Sequence, residues 1–181
     1  LRLEDSTAAR DTLNWLRGAE ARMQDAFISN ALNSYHGMVA HSEGAFAEAV
    51  AMFEAAHKGF TEMQITGYAL DALAGKLRAT GGLNKVDPDE VAQLFAALSE
   101  TRGQGMEFPI QAIATCAELL GPGEKSAELL RLGEEWIRAR ADRLDDAEYR
   151  NSFLERIPEN QRILALGARL TNQQEKGNGK A

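Results

Sequence analysis

Residues 119–130 read LLGPGEKSAELL, with Gly121-Pro122-Gly123 ahead of Lys125 and Ser126. These are residue types that can cradle a phosphate. A glycine-rich turn points its N–H groups at the anion, the following helix adds its N-terminal dipole, and a lysine reaches the outer phosphates. That chemistry has a strict form, G-x-x-x-x-G-K-[ST] directly after a buried strand. Here Glu124 precedes Lys125 and puts a carboxylate where the phosphate would approach, and Leu119 stands where the outer glycine belongs. The preceding IQAIATCAELL has helical, not strand, periodicity. The stretch reads as a corner between two helices.

The other chemical residues are equally isolated. Glu54 and His57 form one E-x-x-H pair, half of a di-iron signature that needs a second pair and two further acids, and no second pair occurs. His36 and His41 are five residues apart, on different faces of a helix, and make a poor metal pair. Cys116 has no histidine arranged to activate it and reads as a small buried hydrophobe. Trp15 and Trp136 read as packing or half-exposed anchors. Arg138, Arg140 and Arg143 cluster near a helix end, where cations suit the dipole. No catalytic set, metal site or cofactor is expected.

The elements that hold these residues are helical throughout. The 181 residues are 44% hydrophobic and 26% charged, carry few β-branched clusters, and suit one moderate domain or a short repeat array. A net charge of −7 disfavours nucleic acid as a partner. No apolar run approaches a membrane span, and the N-terminus lacks a signal-peptide pattern. A single cysteine suits a reducing compartment and hence a cytoplasmic location. The first residue, Leu1, reads as a domain cut from a longer chain, although processing or trimming would look the same.

An internal period organises the helices. HGMVAHSEG, AGKLRATGG and IATCAELLG each place a small residue seven positions before a glycine: Gly37 with Gly44, Gly75 with Gly82, Ala114 with Gly121. The small residue admits a neighbouring helix, and the glycine is expected to end its own helix in the left-handed conformation. After Gly44, residues Ala49, Phe53 and Ala56 share one helical face; Ser126, Leu130 and Gly133 repeat that order after Gly121. The second unit carries four extra residues, with Asp87 as N-cap, Pro88 as first helical residue and Glu90 as capping-box acid.

With Gly37, Gly44, Phe46, Ala49, Phe53 and Ala56 at its signature spacings, the stretch from Ala31 to Phe60 resembles the tetratricopeptide repeat family. Asn33 and His36 depart from the family's aromatic and leucine, the other two units are degenerate, and the period is longer than usual. The closing SFLERIPENQRILAL is similar to segments that follow repeat arrays in large bacterial signalling proteins. The resemblance implies an all-α superhelix of antiparallel helix pairs with a C-terminal capping helix pair. Expected divisions are an N-terminal helix or remnant of an earlier repeat (1–24), three helix pairs (25–143), capping helices (144–170) and a disordered tail (171–181).

A repeat array of this kind binds through the concave face lined by the first helix of each pair. The stripe opposite the paired helix holds Ser34, Met38 and His41, then Ala72, Lys76 and Ala79, then Gln111, Thr115 and Glu118. The expected function is a non-enzymatic scaffold whose partner is a protein or peptide, or a sibling domain of the same parent chain, with neither nucleic acid nor membrane involved. The alternative is a sensor that takes a small peptide or metabolite in the same groove.

Overall fold

The computed structural model describes residues 6–178, excluding the side chains of Met23 and 170–178. Among the described residues the chain is all-α, with nine helices and no strand: α1 (Ser6–Met23), α2 (Ala26–Ser42), α3 (Phe46–Glu62), α4 (Thr66–Gly82), α5 (Pro88–Thr101), α6 (Pro109–Leu120), α7 (Glu124–Ala141), α8 (Ala147–Glu155) and α9 (Pro158–Asn178). Consecutive helices joined by short turns pack against each other, as in a helical repeat. No described helix is long and apolar enough to cross a membrane. Two compact units are present, Leu1–Leu94 with Gly103–Glu107, and Phe95–Arg102 with Phe108–Ala181.

In the first unit, α3 lies between α2 and α4. Its apolar stripe Ala49, Phe53, Ala56 and Phe60 is at most 2% exposed. Phe53 fits because both neighbours offer glycine. A Cβ on Gly37 of α2 would sit 2.9 Å from the ring, and one on Gly75 of α4 would overlap it. Gly75 is therefore not the counterpart of Gly37, as the sequence period implied; the two glycines flank one ring from opposite helices. Farther along, Phe27, Phe60 and Tyr68 join the three helices edge to face, with Phe27–Phe60 centroids 5.7 Å apart.

The turns correct the expected register. Gly44 does end α2 with a left-handed φ of 76°, and the Ala45 N–H reaches back to Ala40 O at 2.9 Å. After α4 the left-handed residue is Asn84, φ 54°, and not Gly82. Gly82 remains helical and is small for another reason: its Cβ would lie 2.9 Å from the Phe46 ring. Two glutamines, Gln24 and Gln64, take the same conformation after α1 and α3. They are 64 − 24 = 40 residues apart. The starts of α2 and α4 agree, since Ala26 and Thr66 are spaced by the same forty residues. The period in this unit is forty, not the 38 read from the glycines (75 − 37).

The loop Gly103–Glu107 is fastened to α2 and α4. Gly67 allows its approach, because a Cβ there would meet the Gly105 carbonyl. The Glu107 N–H donates to Asp71 Oδ2 at 2.7 Å, and the Tyr35 hydroxyl donates to Glu107 Oε1 at 2.8 Å. Asp87 accepts the Asp89 N–H at 2.9 Å, as an N-cap should, whereas Glu90 pairs with Lys76 in place of the expected capping box.

In the second unit, α7 packs between α6 and α9 around Ile113, Leu129, Ile137 and Ile163, each at most 1% exposed. Gly133 of α7 makes this approach possible, its would-be Cβ lying 3.1 Å from Ile163 and 3.3 Å from Ile113. The cover over α6 and α7 comes from α9; α8 has no buried residue, and its Tyr149 is 71% exposed. α9 continues to Asn178, so most of the expected disordered tail is helical, the remainder lying outside the described residues.

Candidate functional site

The corner Gly121–Gly123 joins α6 to α7, as its sequence suggested. Gly121 takes φ 70°, and buried Ser126 donates its hydroxyl to Gly123 O at 2.9 Å. Lys125 lies 5.2 Å from the centre of the Phe95 ring, a cation–π contact. Of the two side chains of the apparent phosphate motif, Ser126 therefore serves the turn and Lys125 lies over a ring of α5. His57 Nδ1 donates to Ala69 O at 2.9 Å, and Glu54 lies 3.7 Å from Lys76. Among the described residues no three His, Cys, Asp or Glu side chains form a metal-binding group. Burial pushes the Cys116 thiol up to about 12, which keeps it protonated and unreactive.

The stripe proposed as a concave surface is only partly on the surface. On α2, Ser34, Met38 and His41 are half-buried. Met38 leans on the cluster of Ala40, Ala49, Phe53 and Ala79, and His41 meets Phe46 edge to face at 5.3 Å. On α4, Ala72 and Ala79 are fully buried and cannot line a groove. Lys76 bonds Glu90 at 2.6 Å. Burial lowers its pKa, but that bond and the charges of Glu90, Glu54 and Asp87 outweigh burial and raise it, so the ammonium is held inside the fold. On α6, Gln111 is half-buried and Thr115 is 2% exposed, with Oγ1 lacking a hydrogen-bond partner. Glu118 pairs with Arg162 of α9, Nε to Oε1 at 2.6 Å.

The physical reason is the character of the helices. α4 and α6 are apolar on nearly every side, with residues Ala72–Gly75 and Ala112–Ala117 buried in succession. Such helices are enclosed by neighbours and have no free stripe. Of the expected surface, Ser34, Met38, His41 and Gln111 keep partly accessible side chains.

One opening lies beside this residue set and was not read from the sequence. A cavity of about 350 Å³ is lined by Ala8, Ala9, Thr12 and Leu13 of α1 and by Tyr35, Met38 and Val39 of α2. Its walls are almost wholly apolar. Burial and the bond to Glu107 raise the Tyr35 phenol to about 12, so this lining residue is uncharged at neutral pH. The Met-Gln pairs at 23–24 and 63–64 match across the same forty residues. A second, smaller cavity of about 220 Å³ sits at the Gly121 corner, between Ala117, Ser126 and Leu130 and α9.

Comparison with protein-family models, with curated proteins and with solved structures gives no significant match to the chain.

Proposed function

We propose that this chain is a non-enzymatic interaction scaffold of the tetratricopeptide type, recognising a protein segment or a sibling domain within a larger cytoplasmic signalling protein of bacterial kind. The observation that carries the reading is the accessible edge of α2, where Ser34, Met38 and His41 run beside an apolar cavity of about 350 Å³. Part-exposed apolar surface on a preformed helical frame suits recognition by shape with a few hydrogen bonds. The helix packing supports it further, because a rigid frame lowers the ordering cost of binding.

Affinity capture from the source cells, with wild type beside a Met38→Gln, His41→Gln variant of matched melting temperature, tests the proposal. The variant should lose proteins that the wild type retains; identical sets at equal strength would contradict it.

The sensor reading stays as the second proposal on one observation. The same cavity lies at the lower end of the size range of small-molecule sites, roughly 300–1,000 Å³, with Thr12 and Tyr35 as its polar groups.

A further inference from the structure

The helix pair α2–α3 of the first unit has a counterpart in α6–α7 of the second. Gly44 and Gly121, both left-handed at the corner, set the spacing at 121 − 44 = 77 residues. Burial keeps this register: Ala40 and Ala117, Ala49 and Ser126, and Phe53 and Leu130 are all at most 4% exposed. α9 packs on α6 and α7 as α4 packs on α2 and α3. What fills the corner differs. In the first unit Ala40, Ala49 and Phe53 close into a buried cluster with Ala79. The Phe46 ring completes that end, edge to face with His41 and close against Gly82. In the second unit Leu130 stands in place of Phe53, and Gly123 in place of Phe46. A Cβ on Gly123 would meet nothing within 4 Å. Both rings are lost, and the cavity of about 220 Å³ opens between Ala117, Pro122, Ser126, Leu130 and α9. An apolar cavity of about 150 Å³ already accepts benzene, so the space is of ring size.

From this correspondence we infer that the Gly121 corner is a binding site for a small aromatic carboxylate. The ring takes the space that the two phenylalanines hold in the first unit, and the carboxylate meets Arg169 of α9, which lines the same cavity. Arg169 is exposed and forms no salt bridge among the described residues. Glu118 also lines the cavity, but its carboxylate is held by Arg162, Nε to Oε1 at 2.6 Å. The charge left to attract a ligand is therefore positive, and a guanidinium suits a carboxylate in particular. A phosphate is not the expected ligand, because Lys125 is taken up by the Phe95 ring and the walls are mostly apolar. The site uses no residue of the α2 edge, so it stands independently of the scaffold reading.

The test titrates phenylacetate into the full chain by calorimetry, beside phenylacetamide, which has the same shape without the charge. Saturable one-to-one binding of phenylacetate is expected. The amide should bind roughly tenfold more weakly, and so should phenylacetate to Arg169→Gln. Arg169→Gln changes an exposed position and should leave the melting curve unchanged. Gly123→Phe returns a ring to the empty space, and its φ of 168° is extended backbone that any residue adopts. This variant should keep or raise the melting temperature and no longer bind phenylacetate. No saturable binding by the wild type overturns the inference. So does equal binding of the amide, equal binding by Arg169→Gln, or undiminished binding by a folded Gly123→Phe. If phenylacetate fails while capture of cellular proteins still depends on Met38 and His41, this inference falls and the scaffold proposal stands.

Discussion

The ring of Phe53 in α3 lies directly against the backbone of Gly75 in α4, with no room for a methyl group between them. Gly75→Ala should gain about 1 kcal/mol from helix propensity. The forced separation of α3 and α4 costs about 1–3 kcal/mol, so the net change should be destabilising. In a Phe53→Leu background the cost should shrink, because the smaller side chain leaves space. A thermal double-mutant cycle measures that coupling, and strict additivity would place the two residues out of contact.

Ala49 is the second close approach, at 0% exposed in the cluster with Ala40, Phe53 and Ala79. Ala49→Leu should destabilise by about 1–3 kcal/mol and visibly lower the melting temperature. An unchanged curve would mean that α2, α3 and α4 do not meet there.

Much of this packing was legible in the sequence, for a physical reason. Ala49, Phe53 and Ala56 recur on one helical face, and a small–large–small pattern requires neighbouring helices on both sides. The helix ends were less legible. Left-handed caps at Gln24, Gln64 and Asn84 carry no glycine, so a period counted from glycines slipped by two residues and matched Gly75 to the wrong partner. The binding stripe was the least legible part. Exposure of Ala72 and Thr115 depends on what encloses α4 and α6, and helical periodicity within one element does not report its neighbours.

Tyr35 gives the alkaline limit. Burial and the bond to Glu107 raise its phenol from 10.0 to about 12. The fold therefore favours the protonated form. That contribution is fully present below pH 10.0 and is lost as pH climbs towards about 12. Ultraviolet titration of phenolate should show a late-ionising tyrosine that Tyr35→Phe removes. A titration unchanged by the substitution would contradict the Tyr35–Glu107 bond.

His36 gives the acid limit. It is 6% exposed with Nε2 unpartnered, and burial, followed by the charge of Arg17, lowers its pKa below 6.5. Arg10 lowers it too, while the Leu13 backbone and Glu48 act in the opposite sense. The fold holds the neutral ring, so its contribution is present above pH 6.5 and declines as pH falls below it. His36→Leu should keep or raise the melting temperature at neutral pH and flatten its fall in acid. An equally steep fall in the variant would assign the acid sensitivity elsewhere.

Side-chain footprinting by hydroxyl radicals tests the central claim most directly, because Met38 and His41 on α2 and Tyr149 and Phe153 on α8 are all reactive side chains. The chain would be labelled alone and in complex with the proteins it captures. Labelling of Met38 and His41 should drop on binding while that of Tyr149, 71% exposed in the free chain, stays constant. Unchanged labelling at Met38 and His41, with protection of Tyr149 and Phe153, would move the binding surface to α8 and contradict the account.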